Sequence, residues 1–288
     1  MFVQDVFAMP IPAELQTREQ FTAAYDNSAA VPDAPAILGA LRARSAALLD
    51  RASVRADLRY GALSRQRYDW FVADDPAAPV LVYLHGGYWQ ARDKRDFSCV
   101  GAGALAEGLH VVHAEYTLAP QARIGDMVGE IGLLLETLAT HPELGRAASG
   151  LPRIVLCGHS AGGHLAAMHR AHPAVAGVLA ISGLFDLEPI RRGALNDALG
   201  LDAPTVETYS PLRRIGTGAP TCVAVGDAEL PELLRHSHEY AAALRAAGED
   251  ASLVEIARAN HFTILDALEN TGGQLLAEAV SMAARAGR

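Results

Sequence analysis

The stretch Arg153-Ile154-Val155-Leu156-Cys157-Gly158-His159-Ser160-Ala161-Gly162-Gly163-His164 changes character at Ser160. Up to Cys157 it is an apolar run of strand length. From Ala161 to Arg170 it carries helix formers at helical spacing. A serine at such a strand-to-helix turn is pushed into a strained, exposed bend, and only small residues at Gly158 and Gly162 let the chain close that tightly. The pattern is that of a nucleophile elbow, with Ser160 as the attacking residue. It gains weight only if an oxyanion loop lies upstream and an acid and a histidine follow downstream, in that order.

Outward from this turn, strands and helices alternate. The run 80–84, Val-Leu-Val-Tyr-Leu, is continuously apolar, as expected of a strand buried on both faces of a parallel sheet. Further strands are predicted at 110–116, 154–157, 175–181, 221–225 and 252–256. Helices are predicted at 97–107, 124–140, 231–247 and 263–284. Ahead of them, 54–60 and 67–73 read as a hairpin around Gly61. The alternation implies a mostly parallel, doubly wound α/β sheet with helices on both faces. Residues 1–52, with a helix near 36–51, are expected to be an N-terminal extension packing on the core. Residues 53–288 are expected to form a single domain, with a small cap at about 183–219, where the alternation lapses into Pro- and Gly-marked pieces.

Composition bounds the function. The 288 residues are 50% hydrophobic and 20% charged, with a formal net charge of −9, which suits a chain with a sizeable core. The acidic balance and the lack of a basic, aromatic-interleaved patch argue against nucleic-acid binding. Lys94 is the sole lysine, which leaves Schiff-base chemistry one badly placed candidate. Cys99, Cys157 and Cys222 are scattered and odd in number, reading as buried thiols of a reducing compartment. Residues 1–12 lack the pattern of a signal peptide, and no run reaches the ~20 apolar residues that span a bilayer. A cytoplasmic protein without membrane contact is expected, acting on a small molecule; the sequence admits a homodimer without requiring one.

A serine needs a base to become nucleophilic and donors for the oxyanion it creates. The strand 80–84 runs into His85-Gly86-Gly87-Tyr88-Trp89, where Gly86 and Gly87 are expected to turn N–H groups into the cavity beside that of Ala161. His85 reads as a brace for this loop. Among the late histidines only His261 follows a strand directly, in Ala259-Asn260-His261-Phe262-Thr263, where a base can reach Ser160. His236 and His238 sit within a helix, His169 and His172 flank the end of another, and His159 is expected under the elbow. The strand 221–225 delivers Gly226-Asp227-Ala228-Glu229. An acid three residues beyond the glycine selects Glu229, with Asp227 as the alternative and Asp186 a distant third that opens the cap. Tyr88 and Trp89 form either an aromatic wall of the substrate pocket or packing against the cap. Arg191 and Arg192 face a carboxylate or simply the solvent. No His-x-x-x-His pair has a carboxylate at ligand spacing, so no metal and no cofactor are expected.

Four segments together, His85-Gly86-Gly87-Tyr88-Trp89-Gln90, Gly158–Ala167, Ser182–Pro189 and Asn260-His261-Phe262, resemble the kynurenine formamidase (arylformamidase) family of α/β-hydrolase fold serine hydrolases. The similarity runs from about Tyr60 to Leu268. It implies attack of Ser160 on the formyl carbon of an N-formyl aryl amine, releasing formate and the free amine. Animal members carry aspartate where Glu229 stands. Bacterial relatives sharing these segments are regarded as esterases, which keeps a short-chain carboxylesterase as the alternative. A non-catalytic relative with the same fold, a binding protein, is the alternative outside enzymology.

Overall fold

A computed structural model describes residues 11–147 and 150–285. The signal-peptide reading of residues 1–12 therefore lies almost wholly outside the described residues. Eight strands form one sheet: β1 (Val54–Arg59), β2 (Arg67–Phe71), β3 (Val80–Leu84), β4 (His110–Ala114), β5 (Ile154–His159), β6 (Val175–Ile181), β7 (Thr221–Gly226) and β8 (Ala251–Ile256), in the order β1-β2-β4-β3-β5-β6-β7-β8. β1 and β2 run antiparallel, and every pairing from β4 onward is parallel. Each of β3, β4, β5 and β7 is buried along its whole length. That is why these strands are free of charged residues, β3 being apolar throughout, whereas the edge strand β1 reads Val-Arg-Ala-Asp-Leu-Arg.

The pleat divides the core in two. Val80, Val82 and Leu84 of β3 point into one cluster, and Leu81 and Tyr83 into the other. Among the described residues the α-helical segments are α1 (Arg18–Ala23), α2 (Asn27–Ala30), α3 (Ala34–Arg51), α4 (Ala102–Ala106), α5 (Ile124–Ala139), α6 (Ala161–Met168), α7 (Glu188–Arg192), α8 (Asn196–Leu199), α9 (Ala203–Tyr209), α10 (Pro231–Ala246), α11 (Asp266–Glu269) and α12 (Gln274–Arg285). The first cluster takes Met127, Ile131 and Leu135 of α5, Leu165 of α6 and Tyr240 of α10. The second takes Leu41 and Leu48 of α3, and Leu275 and Ala279 of α12. Among the described residues no helix is long and apolar enough to cross a membrane.

Two elements differ from their sequence reading. The helix expected at 97–107 is a 3-10 segment, Lys94–Gly101, followed by the short α4. Asp93 starts it by accepting from the Arg95 N–H, and its end is wedged against β4, where a Cβ on Gly101 would stand 2.6 Å from Val111. The helix expected at 263–284 is broken into a 3-10 turn (Thr263–Leu265), α11 and α12. The break falls at Gly272, whose φ of +84° lies in the left-handed region that ends helices.

The N-terminal residues divide between two surfaces. α3 lies on the sheet face, where the Ser45 hydroxyl donates to the Asp96 carbonyl and accepts from the Cys99 N–H. α1 reaches instead the insert between β6 and β7, which holds α7, α8 and α9. There the Ala194 N–H donates to Thr22 Oγ1 (3.0 Å), Arg18 meets Asp197 at 2.5 Å, and the Arg192 guanidinium lies 5.4 Å over the Phe21 ring. Asp186 opens this insert by accepting from the Glu188 N–H at the start of α7.

Candidate active site

β5 ends in the sharp turn read from the sequence. Ser160 has φ +56° and ψ −119°, a conformation that costs a non-glycine residue on the order of 1–3 kcal/mol and persists only where the surroundings impose it. The surroundings do so. The Ser160 N–H is held by the Ile181 carbonyl at the end of β6 (2.8 Å). A Cβ on Gly158 would stand 2.0 Å from the Gly162 carbonyl, and one on Gly162 would stand 2.0 Å from the Leu84 carbonyl at the end of β3. Three strand ends therefore converge on Ser160, and neither glycine admits a side chain. Ala161 opens α6, so its N–H belongs to the first helical turn, which has no intrahelical acceptors.

Beyond Leu84 the chain passes directly over the elbow. A Cβ on Gly86 would lie 3.0 Å from Ser160 Cβ. Gly87, Tyr88 and Trp89 follow with φ of +112°, +51° and +58°, three consecutive left-handed residues that curl the loop. His85 braces it from below. Its ring is buried, stacks on Tyr116 at 4.6 Å, and places Nδ1 2.7 Å from the Gly86 carbonyl and Nε2 2.8 Å from Glu115 Oε1.

The loops after β7 and β8 supply a second pair. His261 Nδ1 donates to Glu229 Oε2 at 2.6 Å, with both side chains buried. The other oxygen, Oε1, accepts from the Gly226 N–H (2.8 Å) and the Ser182 hydroxyl (2.6 Å). His159, the residue before Ser160, joins the two halves: its Nε2 donates to the His261 carbonyl (2.8 Å) and its ring lies 4.5 Å from the His261 ring. Burial, with the His261 imidazole beside it, pushes the His159 imidazole well below its ordinary range and keeps it neutral. Among the described residues neither Ser160 Oγ nor His261 Nε2 has a hydrogen-bonding partner within the protein, so the free protein makes no bond between them.

Asp227 is not part of this pair. It is exposed and accepts from the Arg258 N–H at 2.5 Å. Asp186 is tied to α7 and to Arg213. Trp89 is wholly buried, edge-on to His164 with ring centroids 5.1 Å apart, so it packs within the core and an open aromatic wall rests on Tyr88 alone. Tyr88 in turn is clamped by the N-terminal segment: its hydroxyl accepts from Asn27 Nδ2 (2.7 Å) and donates to the Tyr25 carbonyl. Arg191 and Arg192 both pair with Glu188. Lys94 is buried between Asp57 (2.9 Å) and Asp69 (3.3 Å), and His236 bonds the Tyr25 hydroxyl and the Phe185 N–H. Among the described residues no group of three His, Cys, Asp or Glu side chains could hold a metal ion.

Sequence reasoning gave no role to Ser182, Asn27 or Tyr25. Ser182-Gly183 closes β6, next to the strand that carries the acid, and that adjacency was the available signal. Asn27 and Tyr25 reach Tyr88 across more than sixty residues, and no local pattern announces them.

The comparisons agree with this architecture. Residues 81–265 match a family described by the α/β hydrolase fold. Kynurenine formamidase of Danio rerio is 29% identical over 228 residues, 74% of this chain and 76% of that one. The crystal structure of a candidate thioesterase from Silicibacter sp. tm1040 superposes with a TM-score of 0.81 at 28% identity, covering 90% of this chain and 98% of that one. An esterase of Pyrobaculum calidifontis shares the fold at a TM-score of 0.69 and 18% identity, over 88% of this chain and 94% of that one. The elbow at Ser160, the strand order and the match over 81–265 make the chain a member of the α/β-hydrolase family, and a hydrolase.

Proposed function

We propose that the protein is a serine hydrolase that cleaves a small aryl formamide, of the N-formylkynurenine kind, through a formyl-enzyme. The observation that carries this reading is the buried 2.6 Å contact between His261 Nδ1 and Glu229 Oε2 beside the strained turn at Ser160. With Nδ1–H bonded to the carboxylate, the proton-accepting lone pair of the neutral ring is on Nε2. Substrate entry brings Ser160 Oγ under that nitrogen, as catalytic hydrogen bonds often tighten only on binding. Oγ attacks the formyl carbon and its proton passes to Nε2. The carboxylate of Glu229 stabilises the imidazolium and does not itself take the proton. The oxyanion points at the N–H of Ala161 and those of the Gly86-Gly87 loop. His261 returns the proton to the aryl nitrogen, which leaves as the free amine. Water, deprotonated by the same Nε2, then releases formate and restores Ser160.

A short-chain carboxylesterase is the second reading, supported by the esterases among the solved relatives. Tyr88, set directly behind the oxyanion loop, is the aromatic surface on offer for an aryl leaving group. The insert between β6 and β7 serves as the cap over one catalytic domain, residues 53–288. The three buried, unbridged cysteines suit a cytoplasmic enzyme. The deciding experiment compares N-formylkynurenine with p-nitrophenyl acetate, with fluorophosphonate labelling and adduct mapping alongside. Consumption of the ester alone would sink the formamidase reading. Absence of a label on Ser160 in the folded protein would favour a binding protein.

A further inference from the structure

We infer that Ser182 is a positioning residue for the acid of the site: its hydroxyl holds Glu229 Oε1 so that Oε2 is left to orient His261. This rests on the hydrolase reading above and extends it to a residue outside the serine, acid and base. Ser182 is completely buried and has φ +49°, one of seven non-glycine residues with positive φ among the described residues. A buried serine at such a φ stores strain that the surrounding structure must impose, and positions of this kind cluster where a side chain has to be aimed. Here its N–H is pinned by the Ala224 carbonyl of β7 (2.7 Å), and its hydroxyl donates to Glu229 at 2.6 Å. Glycine would adopt the same backbone without strain. The side chain is therefore what the position keeps.

The two oxygens of Glu229 are used unequally. Oε1 takes two neutral donors, Ser182 Oγ and the Gly226 N–H, while Oε2 takes only His261 Nδ1. Among the described residues no Lys or Arg side chain pairs with Glu229, so these neutral donors are what fix the rotation of the buried carboxylate. Around the pair, the facing titratable groups are His159, kept neutral by burial, and the Tyr88 phenol, which burial pushes upward. Removing the Ser182 hydroxyl frees the carboxylate to rotate, so Oε2 aims His261 less well and the chemical step suffers more than substrate binding does.

The test is the split between kcat and KM for Ser182→Ala, Ser182→Gly and Ser182→Thr, with p-nitrophenyl acetate as substrate. Ser182→Ala should lower kcat roughly 10- to 100-fold at little-changed KM. Ser182→Thr, which keeps a hydroxyl, should recover most of the rate. Ser182→Gly relieves the backbone strain while removing the same hydroxyl, so the folded glycine variant should show the same loss of kcat. Wild-type rates in the alanine and glycine variants, or a loss that threonine does not rescue in a folded protein, would overturn the inference. If instead the wild-type protein turns over no acyl substrate and Ser160 takes no label, it is the hydrolase reading that fails.

Discussion

Among the described residues two buried histidine–carboxylate pairs have nearly equal length, His261–Glu229 at 2.6 Å and His85–Glu115 at 2.8 Å, in opposite circumstances. His85 is used up. Both its ring nitrogens face protein acceptors, its ring is stacked, and Glu115 is shared with Arg65 at 2.5 Å and the Lys94 N–H. His261 has one nitrogen bonded and the other without a protein partner, and its carboxylate meets only neutral donors. The first pair is closed on itself and fixes a loop. The second is open at one ring nitrogen. The same two residue types thus make a closed brace or leave a nitrogen available, according to whether the last nitrogen is spoken for.

The comparison breaks most sharply under alanine replacement of the two histidines. His261→Ala, like Ser160→Ala, should reduce kcat by 10⁴-fold or more while leaving the melting temperature within a few degrees. His85→Ala should do the reverse in stability: it leaves a cavity where a buried ring stacks on Tyr116 and takes one partner from Glu115, which keeps Arg65, for a cost of roughly 2–4 kcal/mol, or about 5–10 °C in a chain of this size. Thermal melts beside steady-state rates on purified variants check both. Residual turnover in a folded His85→Ala protein, against none in His261→Ala, is the expected split. Equal loss of rate in the two would abolish the distinction.

How far this was readable in the sequence follows from the same residues. The fold and the elbow were, because they rest on local patterns. Val80–Leu84 and Ile154–Cys157 are apolar on both faces, and Gly158 and Gly162 flank Ser160 where a side chain would clash between β3, β5 and α6. Glu229 and His261 were readable through chain order and loop position. Their contact is not a pattern but a meeting of two loops, and the structure supplies it. The hydroxyl of Ser182 on Glu229, forty-seven residues away, and the grip of Asn27 on Tyr88 are likewise invisible to any window along the chain. Trp89 reads either as a wall of the pocket or as packing against the cap, and the left-handed turn through Tyr88 and Trp89 leaves its indole buried against His164. The final helix failed differently. Its spacing is helical, and a single left-handed glycine at 272 overrides that spacing.

Buried imidazoles without a carboxylate partner sharpen the comparison from a third side. His113 has no partner on either nitrogen among the described residues, and burial pushes it down to about 3; burial likewise pushes His164 to about 4. Both folded values lie below the unfolded value of about 6.5, so at acid pH the unfolded chain binds more protons than the folded one. Their contribution to stability is complete above about pH 6.5 and is lost as pH falls toward the folded values, on the order of 3 kcal/mol per histidine by pH 4. Melting temperatures measured from pH 8 to pH 4.5 should hold level and then fall steeply below 6.5. His113→Leu should flatten that slope. A slope unchanged by the replacement would mean that other groups drive the acid unfolding.

The finest distinction lies within one strand end, between Glu229 and Asp227. Both leave β7 on the same loop, two residues apart, and both are anchored to the loop after β8. Glu229 reaches a side chain of that loop and is buried with it. Asp227 reaches a backbone N–H, that of Arg258, from an exposed position. Neutralising each without changing its shape separates the two. Glu229→Gln deprives the imidazolium of its counter-charge and misdirects the ring, for a loss of up to about 10⁴-fold in kcat. Asp227→Asn keeps an acceptor oxygen for Arg258 and alters only an exposed charge, so rate and melting temperature should stay within about threefold and 1–2 °C. The opposite ranking in kcat would move the acid to Asp227. The 2.6 Å contact would then be a loop brace, and His261–Glu229 would be a second copy of His85–Glu115.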